Sequence, residues 1–170
     1  MSSSKWQRTG ITPDILKDFF YMYATTKRKT QLSEGGIAWV RVSDVIPKNQ
    51  DWQQTIWRYS GLMSRIDNKT KEFTDSAFWK HEKKNRIKDI QKRLDRFKRL
   101  YRSIKATGFI MGKRNHIKLL DLCDVKRKRP EKGGRISYKY YRCNGMKRIL
   151  ICAYLGINKI PVKLYRVSIG

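Results

Sequence analysis

The sequence predicts an α+β fold: a small mixed sheet carrying one long basic helix, behind an N-terminal helical extension. Three observations lead there. Ile87, Ile90, Leu94, Phe97, Leu100, Tyr101 and Ile104 step along one helical stripe. From Tyr138 to Val167 the chain has an aromatic β-rich run, a turn at Asn144-Gly145 and an apolar-periodic run from Met146 to Leu155. A stop at Gly156 and a second β-rich run from Ile160 follow, so the segment reads as strand, turn, helix, strand. Val40, Val42 and Val45, set among polar residues in the stretch 37–46, read as a further strand that ends at Pro47.

Composition narrows the function classes. At 170 residues the chain is one domain with an extension, long enough to bury a proper core. Forty Lys and Arg against 14 Asp and Glu give a net charge of +26, and the pI is about 10.3. Such a field costs self-repulsion and serves no enzyme of small metabolites, so a polyanion is expected. Nucleic acid stands ahead of a membrane surface, because the basic residues are interleaved with a foldable pattern instead of forming one short amphipathic tail. Five Trp, nine Tyr and six Phe argue against disorder. Cys123, Cys143 and Cys152 lack Cys-x-x-Cys spacing, and the polar start MSSSKWQRTG is no signal peptide, so a reducing, cytoplasmic compartment is expected. With only His81 and His116 to complement them, no metal site is expected. No apolar run is long enough to span a membrane.

In chain order, residues 1–36 form the extension. Thr12-Pro13-Asp14 starts a helix with Ile15, Leu16, Phe19, Phe20 and Tyr23 on one face, and Ser33 to Gly36 is a linker. From Asn49 to Thr70 the signal is mixed. Trp52, Ile56, Trp57 and Tyr59 suggest a short helix that Gly61 breaks, and an aromatic cluster beside Arg58 and Arg65 reads either as core or as a surface for stacking on bases. Asp75 or Ser76 caps the next helix, and from Phe78 the pattern runs on as the longest element, to a C-terminal glycine at Gly108. Between Lys80 and Lys105 twelve Lys or Arg face Glu82, Asp89 and Asp95. Such an excess on one rod exceeds what solubility requires and suits phosphate contact, through Lys88, Lys92, Arg93, Arg96, Lys98, Arg99 and Arg102. Phe109–Met111 and Ile117–Leu122 read as short strands. The segment 126–135 reads as a basic hairpin tip in which Lys126, Arg127, Lys128 and Arg129 are further phosphate contacts.

Gly145 lets the chain leave a strand and enter a helix at once, freeing the N–H groups of Met146, Lys147 and Arg148. A helix start attracts anions. Lys147 and Arg148 on that first turn oppose the helix dipole, which makes them poor choices for stability alone and suggests that a phosphate is expected.

Three separated stretches resemble one family pattern. Val40-Arg41-Val42-Ser43-Asp44-Val45-Ile46-Pro47-Lys48-Asn49 resembles the first strand of the ParB N-terminal domain. Leu100 to Ile110 resembles its helix through Ser-Ile to a Gly. Gly145-Met146-Lys147-Arg148, with Leu155-Gly156-Ile157 and Ile160-Pro161-Val162, is similar to its Gly-x-x-Arg box, helix end and closing strand. The resemblance to the ParB/sulfiredoxin superfamily covers residues 37–170, with an insertion at about 50–92. It implies a nucleoside triphosphate, ATP or CTP with Mg2+, held at Gly145, Met146, Lys147 and Arg148, with Ser103, Thr107 and Gly108 as the second wall. Met146 stands where sulfiredoxins have cysteine, so sulfinic acid reduction is not expected. The chain ends without the helix-turn-helix domain of partition proteins, so a complete partition factor is not expected either. Asp44 and Asp51 are the acids nearest the family's acidic first loop and the candidates for catalysis.

The resulting expectation is a stand-alone ParB-like protein of the kind phages and mobile elements carry. It would bind nucleotide at the box and nucleic acid, DNA ahead of RNA, along the basic helix and tip, with homodimerisation left open. DNA cleavage would rest on Asp121 and Asp124, the nearest acidic pair. The alternatives are a phosphotransferase of the same superfamily, with Asp44 or Asp51 orienting an acceptor, and a non-enzymatic basic DNA-binding protein.

Overall fold

A computed structural model describes residues 30–47, 50–69, 71–112, 116–121 and 140–169. The expected helix at 12–26 and the basic tip at 126–135, with Lys126 to Arg129 and Asp124, lie outside the described residues. Within them the protein is a mixed α+β structure. A four-stranded sheet of order β1-β4-β2-β3 is formed by β1 (Thr30–Arg41), β2 (Lys118–Asp121), β3 (Tyr140–Arg142) and β4 (Lys159–Ile169). β4 is antiparallel to β1 and parallel to β2, and β2 is antiparallel to β3. Five helices complete it: α1 (Val42–Val45), α2 (Gln50–Asp67), α3 (Ala77–Lys84), α4 (Ile90–Thr107) and α5 (Met146–Tyr154).

The core forms where the helices meet one face of the sheet. Val40, Leu119, Ile160 and Val162 from the strands join Leu62, Leu94, Phe97, Tyr101 and Ile149 from the helices. Tyr59 is its hub, with the rings of Phe97 and Phe78 centred 5.1 and 5.6 Å away. At such spacings tilted aromatic pairs add to area burial.

Four local expectations are corrected. The strand expected at 37–46 starts at Thr30 and ends at Arg41. Val42 N–H donates to Asn158 O (2.9 Å) as the ladder ends, and Val42 and Val45, three apart, bury their side chains from a one-turn helix instead. Gly61 does not break α2, which runs through it. A helical glycine costs about 1 kcal/mol, less than the burial of Trp52, Tyr59, Leu62, Met63 and Ile66 returns. Phe109–Met111 carry no strand.

The expected single long helix is two. Ser76 caps α3, its Oγ accepting from Trp79 N–H at 3.1 Å. The helix then ends where Arg86 adopts φ 54°. Arg86 N–H donates to Lys83 O and Ile87 N–H to Glu82 O, each at 3.0 Å, the paired bonds of a Schellman stop. Arginine occupies the position where glycine is usual, so the sequence carries no signal of the break. Asp89, at φ 56°, then redirects the chain into α4.

The closing segment folds as expected: β3, then α5 from Met146, then β4. Its two strands are not neighbours. β2 lies between them, so α5 crosses over β2 on the core face.

Candidate nucleic-acid interface

Gly145 has φ 85°, and a Cβ there would lie 2.8 Å from Ile117 Cγ1. Both the left-handed backbone and the close packing demand glycine. Asn144 Oδ1 accepts from Lys118 N–H at 2.8 Å, tying the turn to β2. The N-cap of α5 is Gly145, which has no side chain to cap the first-turn N–H groups.

Lys147 extends from that first turn toward the start of α4, and Lys88, Lys92, Arg93, Arg96 and Lys147 line a cleft of about 310 Å³. Asp89 is the one carboxylate in the lining. Arg93 Nε lies 2.9 Å from Glu82 Oε2, an ion pair whose angle falls short of a hydrogen bond; the Glu82 side chain is 8 % exposed. Burial holds the Lys147 ammonium below its ordinary range, and repulsion from Arg93 and Arg96 adds to this while Glu82 works against it. The cleft therefore concentrates positive charge at a cost to the fold, and an entering anion would relieve that cost. Arg86 and Asp89, the two positive-φ residues other than glycine among the described residues, sit at or beside its edge.

The predicted residues separate into groups. Lys88, Lys92, Arg93 and Arg96 are brought together with Lys147. Arg99 and Arg102 are exposed further along α4. Lys98 lies 3.8 Å over the Phe73 ring. Arg148 is half-buried and outside the cleft lining; burial lowers its pKa, and the Cys152 thiol one turn on works the other way. Ser103, Thr107 and Gly108 are at the far end of α4. There Tyr101 meets Tyr154, at the opposite end of α5 from the box, with ring centroids 6.1 Å apart. Thr107 Oγ1 already donates to Ser103 O at 3.0 Å. These three, expected as a second wall, do not line the cleft, whose other side is formed by the first turns of α4. Asp44 is partly buried on α1 and Asp51 exposed on α2, neither in the cleft lining.

The aromatic cluster of α2 divides. Trp52 and Tyr59 are core, and Trp57 is 68 % exposed. Arg65 donates to Glu72 O (2.7 Å) and Arg58 to Thr55 Oγ1 (3.2 Å), so both guanidinium groups are engaged locally. Among the described residues no group of three or more His, Cys, Asp or Glu converges, and no helix is long and apolar enough to cross a membrane.

Sequence reasoning missed the pairing of Lys147 with the start of α4. The only available signal was the cations placed unfavourably at the helix start. Compared with known protein families, curated proteins and solved structures, the chain matches none.

Proposed function

We propose that the protein is a DNA-associated, ParB-like nucleic-acid-binding protein whose phosphate-binding centre is the cleft between the start of α4 and the first turn of α5. The observation that carries this reading is the convergence of five cations from two parts of the chain, residues 88–96 and Lys147, on one cleft, with Lys147 destabilised in its charged form. Arg99 and Arg102 extend the cationic surface along α4, as tracking a phosphate backbone requires. The triphosphate of a nucleotide is a second ligand of matching chemistry. Lys147, Lys92 and Arg96 would hold its phosphates beside the uncapped N–H groups of α5, and Asp89 is the lining carboxylate near enough to share a Mg2+. Bound Mg2+ would supply charge neutralisation on the phosphates. Arg148, half-buried and outside the cleft lining, is not among the residues we assign to the phosphates.

The test is the salt dependence of duplex binding by the full chain and by a Lys92→Glu, Arg96→Glu, Lys147→Glu variant, with calorimetry against ATP and CTP beside it. Each cation that neutralises a phosphate adds about 0.9 to the slope of log K against log salt. The variant should lose about 100-fold or more in affinity and roughly three units of slope. An unchanged slope would overturn the reading.

A further inference from the structure

β1 is an edge strand, and its side chains alternate across the sheet. Val40 enters the core, so Ile37, Trp39 and Arg41 stand on the opposite face, away from α2, α4 and α5. Trp39 is 67 % exposed and Ile37 53 % exposed. In register, Ile37 faces Lys163, Trp39 faces Pro161 and Arg41 faces Lys159. Neighbours two along on the same strand and diagonal across the pair are within reach of a long side chain. Register therefore puts Arg41, Lys159 and Lys163 on the same face as Trp39, with the Lys163 ammonium 5.8 Å from the centre of the Tyr165 ring. No acidic residue occurs in 37–41 or 159–163.

We propose that Trp39, with Arg41, Lys159 and Lys163, forms a stacking platform for single-stranded nucleic acid. One base lies on the indole and its phosphate meets Arg41 and Lys159. An exposed indole that shares its face of the sheet with cations matches a polyanion with free π-faces. A duplex presents no free base face except at its ends, so this surface selects single strands. A second copy of the chain fits poorly, because each copy brings a net charge of +26 to the same contact. The proposal rests on the reading of the protein as a nucleic-acid binder, but it uses the face of the sheet opposite the cleft.

The experiment measures fluorescence anisotropy of labelled oligo(dT) of about twelve nucleotides and of a blunt duplex of about 20 base pairs. The proteins are the full-length chain, Trp39→Ala, Trp39→Phe and the triple cleft variant, each with its thermal melt recorded. Trp39→Ala should melt as the wild type, weaken oligo(dT) about 5- to 100-fold and leave the duplex within about twofold. Trp39→Phe should retain most of the affinity, because it keeps a π-face. The cleft variant should lose the duplex. Oligo(dT) affinity unchanged by Trp39→Ala, or an equal loss on both ligands, overturns the platform and leaves the cleft reading standing. Duplex affinity unchanged in the cleft variant overturns the cleft reading alone. A wild-type chain that sediments as a dimer, and that Trp39→Ala renders monomeric, assigns this face to self-association and overturns the platform.

Discussion

On the flank of α4 that meets the end of α2, Lys98 stacks on Phe73 at 3.8 Å and Lys105 donates to Asp67 Oδ1 at 2.8 Å. On the flank that meets α5, Lys92 and Arg96 share a cleft with Lys147 and have no carboxylate within ion-pair distance among the described residues. The two sets look alike in the sequence. What differs is the neighbouring element: the end of α2 supplies an acid and the 3-10 turn Phe73–Asp75 a ring, whereas the start of α5 supplies another cation. Basic residues with a partner inside the fold are spent on structure, and those facing like charge remain available to an outside anion.

That difference can be broken or sharpened by substitution. The largest effect is expected from moving a charge reversal between flanks. Lys92→Glu with Arg96→Glu should weaken duplex binding about 30-fold or more at moderate salt, whereas Lys98→Glu with Lys105→Glu should weaken it less than about fivefold. Anisotropy titration of both doubles decides it, and equal losses would mean that the partners on the α2 flank do not withhold their cations.

Smaller, and confined to stability, is the effect of removing the α2-flank network. The Tyr101 hydroxyl donates to Asp67 Oδ2 at 2.7 Å, so Tyr101→Phe should cost about 1–2 kcal/mol in denaturant unfolding with duplex binding unchanged. Asp67 has a lowered pKa. Burial works against the lowering, and the hydrogen bonds from Lys105 and Tyr101 outweigh it. A depressed acid stabilises the fold above its unfolded pKa and loses that contribution as pH falls through its folded value. The stability gap between wild type and Asp67→Asn should therefore be widest near neutrality and close below about pH 4.

Smallest is the effect of relieving the α5 flank. Lys147 is held below the ordinary lysine value of 10.5, so near neutrality its charge opposes folding, and stability rises as pH rises through the lowered value. Lys147→Met should raise Tm by about 1–2 °C while weakening duplex binding. In the wild type, affinity should fall as pH rises through the lowered Lys147 pKa, because the bound anion favours the ammonium. Calorimetric melts and a pH series of titrations test both; a Tm that drops would show that Lys147 has a structural partner.

Much of the frame was legible because local chemistry and global fold agree there. Gly156, at φ 73°, ends α5 with the same paired bonds that end α3, Gly156 N–H to Ala153 O and Ile157 N–H to Cys152 O, and a glycine at that position announces itself. Arg86 makes the same stop without the glycine, so the stripe from Phe78 to Ile104 reads as unbroken. Gly61 is the reverse case, a breaker overruled by the core that α2 buries. The box itself was visible at Gly145, but its partner was not. The family resemblance suggested Ser103, Thr107 and Gly108, and the relative placement of α4 and α5 brings the other end of α4 to Lys147.

By itself the sequence determined the charge, the α+β class, the strand–turn–helix–strand close and the positions of Gly145, Gly108 and Gly156, because each rests on backbone geometry or periodicity within a few residues. Only the tertiary structure decided which cations are neutralised and which face one another, that Trp39 stands outside and Trp52 inside, and that α5 crosses β2. Those outcomes depend on what packs opposite a residue from a distant part of the chain, and residue spacing along one element carries no information about its partner.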